Sequence, residues 1–269
     1  MTVQIITGDC REVLLGVADA SVDLVVADPP YGQTSLAWDR WPEGWPLQVH
    51  RVLKPTGSMW VFGNLRMFMD RVAEFDGWSI AQDVIWEKHN GSNAFADRFR
   101  RVHEQAVQFY RSDAPWQGVF KAPLFTQDAT ARTVRRKQRP PQWGAIDSSS
   151  YRSEDGGPRL MRSVMFCRSE HGRAEHPTQK PTAIILPLIE YSCPAGGLVL
   201  DPMAGSGTTG VAAKLLGRSA ILIEADPDYS TVAEHRIKAD VPLFAGVEGT
   251  REPSAVPLPD STPVAGGAG

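Results

Sequence analysis

Short apolar runs alternate with amphipathic stretches along most of the chain. The runs at 3–6, 22–27, 58–63, 83–86, 106–110, 198–200 and 220–223 read as strands. Helical spacing of the apolar positions predicts helices over 45–53, 65–75, 182–191, 211–216 and 228–239. Strands that alternate with helices imply a parallel sheet joined by right-handed crossovers, so the expected class is α/β, doubly wound. No repeat of fixed period runs through the chain.

The alternation fails between about 112 and 164. That stretch holds Arg132-Thr133-Val134-Arg135-Arg136-Lys137-Gln138-Arg139-Pro140-Pro141 and, further on, Asp155-Gly156-Gly157-Pro158. It is basic, broken by Pro and Gly, and weakly periodic. Loops of this length are usually functional or disordered; here an insertion carrying a partner-recognition surface is expected. Residues 240–269 are rich in Pro, Gly and Ala and are expected to form a disordered tail.

Charge sharpens that reading. The net charge is only −3, yet residues 98–180 hold 16 Lys+Arg against 8 Asp+Glu, and the remainder 12 against 23. Such asymmetry suggests a polyanion on one face, although basic residues that merely solvate loops would leave the same imbalance. The rest of the composition is that of an ordinary globular chain, 42% hydrophobic and 22% charged. There is no apolar run long enough for a membrane span, and the N-terminus reads as a first strand rather than a secretory signal. Cys10, Cys167 and Cys193 form no Cys-x-x-Cys pair, so neither a disulfide framework nor a zinc site is expected and a reducing cytosol fits.

Three segments carry chemistry. Asp28-Pro29-Pro30-Tyr31 follows the strand at 22–27. Asp28 can accept hydrogen bonds from an amino group. The prolines fix two φ angles and leave rigid carbonyl acceptors, and Tyr31 offers a face on which a base can stack. Together they suit a planar ring bearing an exocyclic NH₂; the plainer alternative is a strand ending in a Pro-Pro turn with a helix-capping Asp. The second segment is Asp201-Pro202-Met203-Ala204-Gly205-Ser206-Gly207-Thr208-Thr209-Gly210, a glycine turn between a strand and a helix. Glu224 ends the next strand, where a carboxylate can take both hydroxyls of a ribose. Gly205-x-Gly207-x-x-Gly210 also satisfies the dinucleotide fingerprint, which keeps a nicotinamide-dependent oxidoreductase open. The third segment is His176-Pro177-Thr178-Gln179-Lys180-Pro181, ahead of the helix at 182–191, with Thr178 a candidate helix cap and Lys180 a candidate carboxylate partner.

In this order the three segments resemble the exocyclic-amino DNA methyltransferases that use S-adenosylmethionine. Specifically they resemble the β group, whose catalytic half precedes its cofactor half. The resemblance covers about 4–110 and 163–238, with weaker support from Gly8-Asp9-Cys10, Leu53-Lys54-Pro55-Thr56-Gly57-Ser58 and His103-Glu104-Gln105. His103 reads equally well as an ordinary core or surface histidine.

The resemblance implies a class I methyltransferase fold, a seven-stranded, mostly parallel sheet with one antiparallel strand. Residues 1–111 would be the catalytic half, 112–164 the target-recognition insertion and 165–239 the cofactor half. It implies S-adenosylmethionine as cofactor, double-stranded DNA as substrate, no metal, often a homodimer, and a cytoplasmic enzyme of bacterial or phage origin. Asp28, Pro29, Pro30 and Tyr31 would be catalytic. Glu224 would hold the cofactor ribose, and Asp9 would lie near its adenine. Asp28, Asp201, Met203, Gly205, Ser206, Gly207 and Thr208 would line the cofactor, with Thr178 and Lys180 near its methionine end. Arg132, Arg135, Arg136, Lys137 and Arg139 would contact DNA. In this family an opening Asp usually accompanies adenine, so adenine-N6 is expected. Cytosine-N4, an RNA or protein-amide substrate, and a catalytically dead DNA-binding module remain alternatives.

Overall fold

Leu24 and Val26 pack into one apolar cluster while Val25 and Ala27 pack into another. Side chains alternate across a strand, so burial of both sets requires a sheet covered on both faces. The computed structural model shows that sheet and describes residues 1–32, 39–92, 97, 99–134, 151–169 and 179–239. The first part of the chain forms β1 (Val3–Thr7), α1 (Cys10–Val13), β2 (Val22–Ala27), α2 (Trp45–Val52), β3 (Leu53–Gly63), α3 (Leu65–Asp70), β4 (Trp78–Ser92) and β5 (Arg101–Arg111). Five short strands follow: β6 (Phe125–Thr126), β7 (Arg132–Val134), β8 (Tyr151–Ser153), β9 (Arg159–Leu160) and β10 (Val164–Phe166). The last part holds α4 (Thr182–Ser192), β11 (Leu198–Asp201), α5 (Thr208–Leu215), β12 (Ser219–Glu224) and α6 (Pro227–Ala239).

The main sheet has the order β1-β12-β11-β2-β3-β5-β4-β10. Its pairings are parallel except at β5, which runs against both β3 and β4. All seven expected strands are present, and β10 adds a short eighth at the edge. On one face Trp60 and Phe62 meet Ile184, Leu188 and Ile189 of α4; on the other Met59 and Val61 share a cluster with Trp45 and Val49 of α2. Each of these fully buried large side chains stabilises the fold by about 1.5–3 kcal/mol. Two polar pairs cross this core: the Trp60 indole donates to Ser192 Oγ at 2.8 Å, and Gln108 donates to Ser58 Oγ at 2.9 Å.

The topology creates a crevice. β11 hands the chain through α5 to β12 on one side, whereas β2 hands it through α2 to β3 on the other, and β11 and β2 are neighbours. Connections that diverge from adjacent parallel strands leave an opening at their carboxyl ends, where α/β sheets bind ligands.

Some boundaries differ from expectation for identifiable reasons. β4 and β5 extend past 83–86 and 106–110 at both ends: towards the turn Lys88 pairs with Glu104 across the hairpin, and at the other end Trp78 pairs in register with Arg111. α3 stops at Asp70, and Val72–Phe75 is a separate 3₁₀ turn. α5 starts at Thr208, directly after the αL residue Gly207.

The described parts of the insertion form a ribbon. Phe125 pairs with Leu160, Thr126 with Arg159, Arg132 with Ser153 and Val134 with Tyr151. Five residues separate the two ladders on each side, so both keep one register. Between them the Ala129 N–H donates to the Gly157 carbonyl at 3.1 Å, and the Ala131 N–H to Asp155 Oδ1 at 2.6 Å. The ribbon's second strand leads into β10 and so onto the main sheet. Arg135, Arg136, Lys137, Arg139 and Thr178, the loop at 33–38 and the expected tail at 240–269 lie outside the described residues.

Candidate active site

Parallel strands end together, and here their ends carry acids. Asp28 follows β2, Asp201 closes β11, Glu224 closes β12 and Asp9 lies just beyond β1. All four line one cleft of about 1400 Å³, together with Pro29, Pro30, Tyr31, Lys180, Met203, Gly205, Ser206 and Thr208. Gly207 points elsewhere: a Cβ there would stand 2.8 Å from Ala233 of α6, so its role is to let the turn and helix pack closely.

Asp28 is held from two sides. The Tyr31 hydroxyl donates to its Oδ1 at 3.0 Å, and the Lys180 ammonium donates to its Oδ2. Burial and the negative charges of Asp28 and Glu104 push the Tyr31 phenol well above its ordinary range, so it stays a donor. Just beyond it the Gly32 N–H donates to Asp39 Oδ1 at 2.8 Å. Trp41 is a core residue packed against Trp45 and Phe75.

The glycine turn is braced by three side chains. Asp201 accepts from Thr209 Oγ1 at 2.6 Å and from the Met203 N–H at 3.0 Å. Burial outweighs these bonds and raises its carboxyl to about 7. Arg236 reaches over from α6 to Ser206 Oγ at 2.8 Å and Thr208 Oγ1 at 3.2 Å. Glu224 accepts from the Gly205 N–H at 2.7 Å and the Asp226 N–H at 2.9 Å, one bond on each carboxylate oxygen. A carboxylate has about four lone-pair sites, so two backbone bonds fix its orientation and leave room for a diol. Asp9 caps α1, accepting from the Arg11 N–H at 2.9 Å and pairing with the Arg11 guanidinium at 2.6 Å. The guanidinium's hydrogen bonds hold the Asp9 carboxyl below its usual range.

Lys180 is 8% exposed and sits among acids and an aromatic face. Besides Asp28, its ammonium is 3.4 Å from Glu104 Oε2 and 5.2 Å from the centre of the Phe62 ring. Glu104 in turn accepts from Lys88 through Oε1. Burial alone would raise the Glu104 carboxyl, but Lys180 and Lys88 overcome it and hold it at about 2. The N-cap position of α4 is Pro181, whose carbonyl accepts from the Ile184 N–H and whose side chain makes no capping hydrogen bond; the expected cap Thr178 lies outside the described residues. Proline cannot donate, and its fixed φ suits a chain entering a helix from an extended stretch.

The family profile of the DNA methylases of N6/N4 type matches residues 22–235. The chain belongs to this family. The chain is 31% identical over 263 residues to the type II methyltransferase M.HinfI of Haemophilus influenzae, a match covering 87% of this chain and 68% of that protein. The fold is shared with the M1.HpyAVI–SAM complex, at 24% identity and TM-score 0.58 over 87% of this chain and all of that one. It is shared also with the PvuII DNA methyltransferase (cytosine-N4-specific), at 17% identity and TM-score 0.61 over 87% of each chain.

In this N6/N4 DNA methylase, motif reading located both halves of the cleft but not the groups that brace them. Lys88 and Arg236 carry no local signature, and Glu104 stood out only beside His103, which is exposed. Glu104 lies in the polar half of β5, beside Arg101, His103 and Gln105, so nothing else local singled it out. Arg132 is exposed on the ribbon, outside the cleft. Among the described residues no helix is long and apolar enough to cross a membrane, and no group of three or more His, Cys, Asp or Glu could hold a metal ion.

Proposed function

We propose that this DNA methylase transfers the methyl group of S-adenosylmethionine to the N6 amino group of an adenine flipped out of duplex DNA. One observation carries the reading: Asp28 with its rigid Pro-Pro turn opens into the same cleft as Glu224 and the Gly205 turn. An amino-group acceptor and a nucleoside holder therefore share one space.

The donor set fits the cofactor. Asp28, Asp201 and Glu224 converge closely enough that the first and last each help raise the Asp201 carboxyl. Such a negative cleft suits a sulfonium cation, and Glu224 retains lone pairs for a ribose diol. Glu224 would hold the ribose, Asp9 would approach the adenine ring, and Met203 and Gly205 would line the cofactor. When bound, S-adenosylmethionine supplies an electrophilic methyl on sulfur.

The chain's own part is to prepare the nucleophile. An exocyclic amino nitrogen is weakly nucleophilic because its lone pair is delocalised into the ring. Asp28 and the Pro29 carbonyl each accept one amino hydrogen, which favours the pyramidal nitrogen of the transition state over the planar ground state. Tyr31 stacks on the extruded base and offsets part of the few kcal/mol that unstacking costs. Residues 1–111 carry this chemistry, 165–239 the cofactor, and 112–164 the DNA contact through Arg132, Arg135, Arg136, Lys137 and Arg139.

Adenine is favoured because Asp opens the tetrapeptide. Cytosine-N4 is the second reading, since cytosine presents the same NH₂ geometry and the PvuII enzyme of that specificity shares the fold. Expression in a host without DNA modification, followed by digestion and mass spectrometry of the nucleosides, decides between them. N6-methyldeoxyadenosine is expected; N4-methyldeoxycytidine would move the assignment to the second reading, and unmodified DNA would defeat both.

A further inference from the structure

Two part-buried carboxylates share one ammonium in this cleft. Lys180 Nζ hydrogen-bonds Asp28 Oδ2 and stands 3.4 Å from Glu104 Oε2. That Glu104 oxygen is sealed from solvent, and Lys180 at 3.4 Å pairs with it off the line of a well-formed hydrogen bond, whereas its sister Oε1 is held by Lys88. A buried carboxylate oxygen without a well-formed hydrogen bond is rare and unfavourable. Here it faces a cation that a small rotation of a flexible side chain would bring onto it. The Lys180 donor meanwhile takes one lone pair of the Asp28 carboxylate and holds a cation against the group that would receive the target amino hydrogens.

We propose that Lys180 is an exchangeable latch, bound to Asp28 in the free enzyme and moving onto Glu104 Oε2 when a target base brings its NH₂ group to Asp28. This rests on the reading of Asp28 as the acceptor for an exocyclic amino group. The latch keeps the part-buried Asp28 carboxylate paired while the pocket is empty. It also removes a cation from Asp28 as positive charge develops on the attacking nitrogen. Only hydrogen bonds are exchanged. Burial works against the Lys180 ammonium, but Asp28 and Glu104 together keep it charged. Lys88 holds Glu104 in place as the receiver. A ring carrying a keto oxygen in place of NH₂ has no donor for Asp28 and leaves Lys180 where it is. The latch would therefore select amino-bearing rings, with Glu104 a positioning residue that acts through Lys180.

The test is a three-variant comparison on unmodified plasmid DNA, measuring kcat, KM for DNA and S-adenosylmethionine affinity by calorimetry. Glu104→Gln weakens the receiver, so Lys180 stays on Asp28. Methyl transfer should fall at least 30-fold while cofactor affinity stays within about threefold. Adding Lys180→Met to Glu104→Gln frees Asp28 and should restore activity at least tenfold. A double variant no more active than Glu104→Gln overturns the latch, because a bracing role for either residue predicts loss on loss. Asp28→Ala is the control: if it remains active, the acceptor reading itself falls, and the latch with it. Should Glu104→Gln fail to fold, the wild-type protein carries the test. The ¹⁵N resonance of the Lys180 ammonium, assigned with Lys180→Arg, should shift when unmodified duplex DNA and S-adenosylhomocysteine are added together. An unmoved resonance overturns the proposal.

Discussion

Tyr31 donates its hydroxyl hydrogen to Asp28 across 3.0 Å, so the residue expected to stack on the base also orients the residue expected to accept its amino hydrogens. The two roles separate by substitution. Tyr31→Phe keeps the ring and loses the hydrogen bond, which at about 1 kcal/mol predicts a roughly fivefold fall in kcat with little change in KM for DNA. Tyr31→Ala also loses stacking, about 1–3 kcal/mol, and should lower kcat/KM by a further 10- to 100-fold. Steady-state methylation of plasmid DNA reads both; equal effects would show that the ring does not stack.

Asp28 is the residue on which the chemistry depends. Asp28→Ala should abolish detectable methyl transfer while calorimetric affinity for S-adenosylmethionine changes by less than about fivefold. Complete loss of cofactor binding would instead make Asp28 chiefly a cofactor ligand.

Glu224 carries the opposite expectation. It orients the Gly205 N–H at 2.7 Å and the Asp226 N–H at 2.9 Å, and its remaining lone pairs suit a diol. Glu224→Ala removes charge-assisted hydrogen bonds that contribute about 1.5–3 kcal/mol each, so cofactor affinity should fall 10- to 100-fold. NAD titrated into the wild-type protein should give no heat; measurable NAD binding would revive the oxidoreductase reading of the glycine turn.

The core of the fold was legible because its strands announce themselves. Val22–Ala27 is mostly apolar, and its burial on both faces is the signature of a central parallel strand. The ends of β4 and β5 were not legible, because Lys88 and Glu104 look like loop residues until the hairpin pairs them. The ribbon was hidden for a related reason: two- and three-residue ladders such as β6 with β9 have no period to detect. In the site, Asp28, Asp201 and Glu224 could be found because each sits at a strand end, the first two directly before a proline. The bonds from Lys180 to Asp28 and from Arg236 to the glycine turn join residues far apart in the chain, and no local pattern encodes them.

The basic cluster beyond β7 gives a prediction about DNA. Arg135→Ala combined with Arg136→Ala removes two phosphate contacts if both arginines lie on the backbone. The slope of log affinity against log salt should then become shallower by about 1.8. Fluorescence anisotropy with a labelled duplex at several salt concentrations measures it. An unchanged slope would remove the insertion from the DNA interface.

Asp201 makes stability depend on pH in the direction opposite to a salt-bridged acid. Its carboxyl rises from the ordinary 3.8 to about 7, mainly through burial. Below pH 3.8 folded and unfolded chains both carry the proton, and the residue has no effect. Between 3.8 and 7 the unfolded chain ionises while the folded one keeps its proton, so stability falls as pH rises through this window. Above pH 7 the loss is complete, on the order of 4 kcal/mol. Asp201→Asn removes the titration and keeps the geometry: its amide oxygen can accept from the Met203 N–H, and its NH₂ can donate to Thr209 Oγ1. The variant should therefore gain on the wild type as pH increases, its Tm relative to the parent rising steadily between pH 5 and pH 8 in the cofactor-free protein. A Tm difference that stays constant across that range would mean that Asp201 is already ionised at pH 5, with Thr209 and the Met203 N–H sufficient to hold the charge.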